Sequence, residues 1–521
     1  MQACAPLPTP SPFCVAEEKF AELADYLRSL EAQKMTHSEL ERDLEERGRE
    51  LLRALMQAHL DTRGPGEASE PVIDASGEER KAKRLHERGL ATVFGKVEVR
   101  RLGYGAEGAD SLHPLDGELN LPRELYSHEL RRRAAEEVAK GSYDEAVQTL
   151  ARSTGSTVHK RQVEELGVRA AQDFDAFYKQ KSVQAEAEST GSLLVMSFDG
   201  KGVVMRREDL RPATRKAAQK RQQRLSKRLS KGEKRNAKRM AEVAAVYTVA
   251  PFVRTPEQVA GTLAPVHLVG SQKRPRPEAK RVWASLEKDP EQVIEQAFEE
   301  ANRRDPERLK SWVALVDGNP HQLRLLQSIQ QRHGVELTVV LDLIHVIEYL
   351  WKAASVFCAE ATPELEEWVS ERLLKILQGR ASDVAAGIRR SATLRSLNPA
   401  QRKAADATAD YLLHHTAYLR YHQYLAAGLP IATGVIEGAC RHLVKDRMDL
   451  TGARWSLVGA EAVLRLRALR SSGDFDEYWT FHEAQEHQRN HAALYTPPKV
   501  PATRTPQTHG HPERKLRLIK S

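Results

Sequence analysis

Two apolar runs in this chain stop at the same dipeptide. Leu193–Phe198 (LLVMSF) ends in Asp199-Gly200, and Trp312–Val316 (WVALV) ends in Asp317-Gly318. Short continuous apolar runs closed by a turn signal read as strands buried on both faces. An acid just beyond the carboxyl end of such a strand stands in the crevice where α/β sheets bind ligands. A single Asp-Gly is also an ordinary turn. A pair of them, each after a buried strand, favours an α/β fold whose sheet offers acids to such a crevice over two unrelated turns.

The elements around the two runs give the rest of the plan. After Asp199-Gly-Lys-Gly202 the segment Val203-Val-Met205 reads as a strand returning through a tight turn. Val243–Pro251 is a third strand, about 279–304 is helical, Trp312–Val316 is the fourth strand, about 321–332 is a helix and Glu336–Leu341 is the fifth strand. Beyond it the pattern is helical throughout: 343–357, several helices to about 430, then 434–446. Upstream, 15–62 reads as two helices. Thr36-His-Ser-Glu39 is a capping box, and Leu40, Leu44, Leu51 and Leu55 form one apolar stripe of the kind that enters a core. A linker over 63–90, richest in Gly, Pro, Ser and Glu at 63–80, leads to a small β region, Ala91–Tyr104. Helices at about 123–140 and 143–152, the second opened by the capping box Ser142-Tyr-Asp-Glu145, are followed by a Gly-containing break, Arg152–Ser156. The helix restarting at Thr157–Leu166 carries His159, Lys160 and Arg161. Helix, turn and basic second helix resemble a helix-turn-helix that reads DNA, with Lys160 and Arg161 as DNA-binding residues. A helical hairpin on a basic surface is the plainer account.

Charge is concentrated. Residues 206–239 hold 15 Lys/Arg and three acidic residues, more positive charge than the whole chain's net +8. Such a block suits a polyanion, because each neutralised phosphate releases a counterion. Lys216, Arg221, Arg224, Lys227, Arg228, Lys234 and Arg235 are its candidate DNA contacts. A second basic segment, Arg514–Lys520, closes a Pro/Thr/His-rich tail expected to be disordered. No apolar run approaches the ~18 residues of a membrane span. The four cysteines, Cys4, Cys14, Cys358 and Cys440, form no C-x-x-C pair. Neither a zinc ribbon nor a disulfide framework is indicated, and the compartment reads as the cytosol.

A third acid, Glu437, lies in Thr433-Gly-Val-Ile-Glu-Gly-Ala-Cys-Arg-His442, near the start of a helix. Three carboxylates from two strands and a helix can hold two hard divalent cations, Mg²⁺ with Mn²⁺ as substitute, and such a pair serves in-line displacement at phosphorus. The segments FDGKGVVM, VALVDGNPHQL, LDLIHVIEYLWKAA and TGVIEGACRHLVKDRMDLTGARW together resemble the ISKra-type family of bacterial insertion-sequence transposases, over about residues 90–482. The resemblance implies an RNase H-like α/β catalytic domain, a mixed five-stranded sheet with helices, that carries an all-α insertion and follows a mainly helical DNA-binding region. It implies that Asp199, Asp317 and Glu437 are the catalytic, metal-holding triad of a DDE transposase. Asp342 and His345 resemble the Asp-x-x-His element of related Mutator-like enzymes; they and Arg441 and His442 are expected to orient phosphate or the carboxylates. Helix-start capping by Asp342 and a salt bridge from Arg441 to Glu437 are the structural alternatives. Trp455 suits either base stacking or a core.

The organisation expected is helices at 1–62, the linker 63–90, a β element and helix-turn-helix region at 91–190, a catalytic core at 191–357 with a basic helical insertion at 206–240, the all-helical insertion 358–430, completion of the core at 431–482 and a basic tail 483–521. The partners would be double-stranded DNA, at element ends and target, and further copies of the chain on that DNA, in a bacterial cytoplasm at the nucleoid. A stand-alone RNase H-like nuclease and a non-catalytic DNA-binding regulator are the competing functions.

Overall fold

The computed structural model describes residues 11–183, 190–219, 237–262, 274–432, 434–450 and 452–504. It divides into two units, Met1–Asp173 with Asp476–Ser521, and Phe174–Phe475. No described helix is long and apolar enough to cross a membrane.

The first unit opens with helices Cys14–Arg28 and His37–Arg63. Thr36 caps the second as its sequence promises: its backbone N–H donates to Glu39 (2.8 Å), and its hydroxyl accepts from the Glu39 N–H (3.4 Å). The leucine stripe is not the buried face, however. Leu44 and Leu55 are 40% and 39% exposed, and the helix buries Ala54 and Ala58 instead. The expected linker contains a strand. β1 (Ala82–Thr92) pairs antiparallel with β2 (Gly95–Ala106) from Ala82↔Gly105 to Thr92↔Gly95, and β3 (Ala109–Leu112) adds to β2. Most of β1's first half is exposed and charged, so it lacks the apolar alternation that betrays a strand.

Three helices follow: His128–Lys140, Tyr143–Ser153 and Lys160–Ala170. The first starts later than expected because the Ser127 hydroxyl caps it, accepting from the Leu130 N–H at 3.3 Å. Buried Leu130, Ala134, Val138, Ala146, Leu150, Val163 and Leu166 supply their packing surfaces. The turn before the third helix is fixed on the hairpin: Gly155 N–H donates to Val93 O (2.9 Å), Ser156 Oγ–H to Thr92 O (2.7 Å). A side chain at Gly155 would run into the Phe94 carbonyl. The expected disordered tail is ordered through 504. Helix Phe475–Asn490 is followed by a short turn, Tyr495 is buried, and Thr503 bridges Ala68. Residues 505–521, with the basic segment Arg514–Lys520, lie outside the described residues.

The second unit is a five-stranded mixed sheet with helices. Its strands are β4 (Leu193–Val204), β5 (Lys238–Val249), β6 (Glu278–Ser285), β7 (Ser311–Val316) and β8 (Leu337–Leu341), in the order β6-β5-β4-β7-β8. β4, β5 and β6 are antiparallel neighbours; β7 runs parallel to β4, and β8 parallel to β7. The count of five matches expectation, but the membership differs. The expected hairpin at Asp199–Gly202 is one continuous strand, paired with β5 from Leu193↔Val249 to Val204↔Lys238. A Cβ on Gly202 would come within 2.8 Å of Lys238 Cδ, a side chain free to move aside. Conversely, 278–285 is β6 rather than the start of a helix, and the helix is confined to Pro290–Arg304 behind an Asp289 capping box.

Helix Leu343–Phe357 follows β8 directly. Between 358 and 430 every regular element is helical: Pro363–Leu377, Ala381–Leu394, Pro399–His414, a short turn and Tyr421–Ala426. These helices share one apolar core with the sheet, since Val195, Val313, Leu315 and Val340 belong to the same buried cluster as Leu350, Trp368, Ile388, Leu412 and Tyr421. Of the expected basic helical insertion, a helix at Pro212–Gln219 is described; 220–236 lie outside the described residues.

Candidate functional site

The sheet delivers the first two acids by register. β4 and β7 pair in parallel from Leu193↔Ser311 to Ser197↔Leu315. Asp199 and Asp317 each lie two residues beyond that last pair, on adjacent strands at the same end of the sheet. Both are half-buried. Asp199 Oδ1 accepts from the Gly200 N–H (2.6 Å), and its Oδ2 accepts from the Cys440 thiol (3.1 Å). Asp317 Oδ1 accepts from the Asn319 N–H (2.8 Å).

The helical segment 358–430 pins the loop that carries Asp317. Tyr411 donates its hydroxyl to the Asp317 carbonyl (2.9 Å), and His415 Nε2 lies 2.9 Å from the Gly318 carbonyl. Gly318 has φ +90°, and a Cβ there would press on Leu341 Cδ1 and His415. Only glycine holds this turn without strain.

Glu437 is exposed on a helix that begins as Gly434–Gly438 and continues as π-helix over Ala439–Lys445. Partial desolvation lifts its carboxyl above the ordinary range. The negative charges of Asp342, Glu348 and Asp199 add to the rise, and His345 opposes it. Asp342 is buried and caps helix Leu343–Phe357, its Oδ1 accepting from the Ile344 N–H (3.0 Å). His345 Nδ1 stands 3.6 Å from Asp342 Oδ2. Interaction with Asp342 raises the imidazole pKa, with Asp317 and Glu348 contributing. Asp199, Asp317, Asp342, His345, Glu348 and Glu437 therefore share one electrostatic neighbourhood. Among the described residues, no three His, Cys, Asp or Glu side chains stand in a geometry that would clasp an ion as they are. The donor set nevertheless fits a hard divalent cation: the candidate ligands present carboxylate oxygens, and burial together with Asp199 pushes the one nearby thiol, Cys440, far above its ordinary pKa.

The other expected site residues fare differently. Arg441 is exposed and forms no ion pair with Glu437. The four-residue spacing that would align them on an α-helix does not hold where the helix switches to i→i+5 bonding. His442 Nδ1 lies 2.9 Å from Asp446 Oδ2, one turn along the same helix. Trp455 is 6% exposed, donates its indole N–H to Met448 O (3.0 Å) and lies under the Arg447 guanidinium, so it is a core residue rather than a platform for a base. In the first unit, Lys160 pairs with Asp144 (2.6 Å) and Arg161 with Glu165 (3.0 Å), all exposed at the start of helix Lys160–Ala170. Lys216 is exposed on its helix; Arg221, Arg224, Lys227, Arg228, Lys234 and Arg235 lie outside the described residues.

Two members of the neighbourhood escaped the sequence reading, Glu348 and Cys440. Each sits three residues past a flagged residue, His345 and Glu437 respectively, so helical spacing was the available signal. Comparison with protein-family models gives no match for this chain, and comparison with curated proteins gives none.

Proposed function

We propose that this chain is a DDE-type DNA transposase with an RNase H-like catalytic core, built on the mixed five-stranded sheet. One observation carries the reading: adjacent parallel strands bring Asp199 and Asp317 to the same end of a sheet, and the helix bearing Glu437 reaches Asp199 through Cys440. Asp199, Asp317 and Glu437 would hold two Mg²⁺ ions, with Mn²⁺ able to replace them. When bound, such ions supply Lewis acidity and charge neutralisation at the scissile phosphate.

The chain's own residues do the rest. Tyr411 and His415 fix the Asp317–Gly318 turn, the Cys440 thiol orients one oxygen of Asp199, and Asp342 holds the start of its helix and the His345 ring beside the acids. In the first step water adds to phosphorus and the P–O3′ bond breaks, freeing a 3′-hydroxyl and leaving a 5′-phosphate. In the second, that 3′-oxygen attacks a target phosphate, a new P–O3′ bond forms and the target's own 3′-oxygen leaves. A stand-alone nuclease would stop after the first step. The three-helix arrangement carrying Lys160 and Arg161 favours an enzyme that selects its DNA, and double-stranded element ends and target are the partners this reading requires, with self-assembly on them, in the bacterial nucleoid.

The test is incubation of the purified protein with DNA containing the gene's own flanks and Mg²⁺ or Mn²⁺, with breaks mapped to the nucleotide. Cuts at two matching inverted sequences ending in 3′-hydroxyls, with joined products, support transposition. Cuts without joining identify the nuclease. Binding to the flanks with neither, under both metals, identifies the regulator.

A further inference from the structure

At the carboxyl end of β5 lies a cavity of about 340 Å³ that none of the chemistry above uses. That is the low end of the range for small-molecule pockets, ~300–1,000 Å³. Its apolar part is made by Tyr247 and Val249 of β5 and by Val435, two residues before Glu437. Its rim carries three guanidinium groups, Arg254, Arg274 and Arg276, with the Phe252 ring beside Arg254 (5.2 Å from guanidinium carbon to ring centre). Among the described residues none of the three arginines has a carboxylate partner. Arg254 is held in place by backbone carbonyls, Nη2 donating to Leu429 O (3.0 Å) and Nε to Phe252 O (3.2 Å). Burial and the charge of Arg274 depress its pKa to about 10. Arg274 and Arg276 are exposed.

An apolar, ring-bearing hollow under guanidiniums with no carboxylate partner among the described residues asks for a ligand with a flat apolar face and attached negative charge. A nucleotide has both, with a base to lie against rings and aliphatic side chains and phosphates for the arginines. The position is also informative. Asp199 pairs with Val243 and Val195 with Tyr247, so the cavity begins, at Tyr247, four residues along β5 from the level of Asp199, about 13 Å at 3.3 Å per residue, and extends from there away from the acids past Val249. A DNA strand engaged by the carboxylates covers that distance in about four steps of 3.4 Å. We infer that this cavity takes one unpaired nucleotide of the DNA strand, about four or more nucleotides from the bond that is cut. The inference rests on the DNA reading above and adds a site that grips a base, where the triad engages phosphate alone.

The experiment uses the full chain without divalent metal, so that no cutting occurs. Affinity is measured for a short 5′-phosphorylated single strand, the same strand with one abasic position moved along it, and the corresponding duplex. Two variants address the two halves of the site. Ala250→Trp places an indole in the hollow from an exposed, lining position. Arg274→Ala with Arg276→Ala removes exposed charge that stabilises nothing else described. The expected result is an abasic position that weakens wild-type binding about ten-fold, and no such loss in Ala250→Trp, whose duplex affinity is unchanged. The double arginine variant should lose about ten-fold on the single strand and flatten its salt dependence by about 1.4 in slope, at ~0.7 per phosphate. If wild type ignores every abasic position, or Ala250→Trp discriminates as wild type does, the nucleotide site is wrong while the DNA reading stands. If the chain binds neither single strand nor duplex, both fall together. Should Ala250→Trp not fold, the wild-type abasic scan and the arginine pair still decide.

Discussion

The two units treat clustered acids in opposite ways. In the first, Asp173 accepts from His482 Nδ1 (2.7 Å) and from both terminal nitrogens of Arg489 (3.0 Å each). Glu486 accepts from Arg131 (2.9 Å), Arg489 (2.8 Å) and Gln172 (2.8 Å), and its carboxyl pKa settles at about 2 because the Arg131 and Arg489 guanidiniums outweigh the cost of burial. In the second, Asp199, Asp317 and Glu437 meet no lysine or arginine among the described residues, and Glu437 is pushed the other way by its acidic neighbours. The second unit does not lack means of compensation. Its Glu300 is gripped by Arg281, Arg303 and Arg304 and titrates far below the ordinary range. A fold that buries a charge for its own stability pairs it. Carboxylates gathered together with no cation among the described residues are what the proposed metal-holding role requires.

Substitution should separate the two classes most sharply. Asp199→Asn and Glu437→Gln should each lower DNA cleavage about 10³-fold or more, while DNA binding persists and thermal stability does not fall. Retained cutting by either variant would sink the triad assignment. Glu486→Gln should do the reverse: it leaves Arg131, 1% exposed, without its main counter-charge and should cost the first unit about 3 kcal/mol in denaturant titration. If Asp199→Asn were the destabilising change and Glu486→Gln the neutral one, the contrast would be an accident of geometry.

The metal supplies a third break point. Mg²⁺ or Mn²⁺ at about a hundred times its dissociation constant should stabilise the second unit by about 2.7 kcal/mol in the wild type and not in Asp199→Asn. Hydrogen exchange of β4 and β7 amides reads this by unit. Equal protection in both proteins would mean that the acids do not hold the ion.

Acid should act on the first unit. Burial, helped by Arg131, drops the His128 pKa from 6.5 to about 4, and burial beside Arg101 does the same for His113. A depressed histidine means that the unfolded chain takes up the proton first. Stability is therefore full above pH 6.5 and falls as pH drops toward 4. For Glu486, the contribution is present above 4.5 and is lost as pH falls toward 2. The first unit should lose about 3 kcal/mol between pH 6.5 and 4 on account of His128 alone. Hydrogen exchange at several pH values, corrected for intrinsic rates, should show opening of helix His128–Lys140 in that window, and His128→Phe should flatten it. A pH-independent helix would show that the ring is not held neutral.

How much of this could be read from sequence follows from where the information sits. The ends of β4 and β7 were legible because a buried strand and its terminal acid are local facts. That the two strands are neighbours was not, since parallel pairing joins segments more than a hundred residues apart. β6 was hidden by its charge. Arg281 in its middle reads as a helix surface residue, yet it is buried between Glu300 and the rings of Tyr178 and Trp283, partners supplied by other elements. β1 was hidden for the opposite reason, being too exposed to show a pattern. The capping boxes at Thr36 and Ser142 were fully legible, because both halves of each motif lie within four residues. Glu348 and Cys440 became site residues only when helix Leu343–Phe357 and the π-helical turn met the sheet.

The smallest expected effect tests whether the contrast between held and available charge extends to the cations of the first unit. Arg131 and Arg489 are committed to Glu486 and Asp173, and removing either breaks a buried network. Lys160 and Arg161 have partners too, but those pairs are exposed, with side chains 58% and 88% accessible. Exposed pairs contribute ~0–1 kcal/mol, so a DNA phosphate can displace Asp144 or Glu165 at little cost. Lys160→Ala with Arg161→Ala should therefore leave folding within about 0.5 kcal/mol of wild type. Duplex binding should weaken a few-fold, and its log–log salt slope should shrink by about 1 to 2, at ~0.9 per lost phosphate contact. An unchanged slope would make the helix pair a structural hairpin and move DNA selection elsewhere in the chain. A changed slope with unchanged preference among sequences would make these residues backbone contacts, leaving the reading of bases to other positions on the same helix.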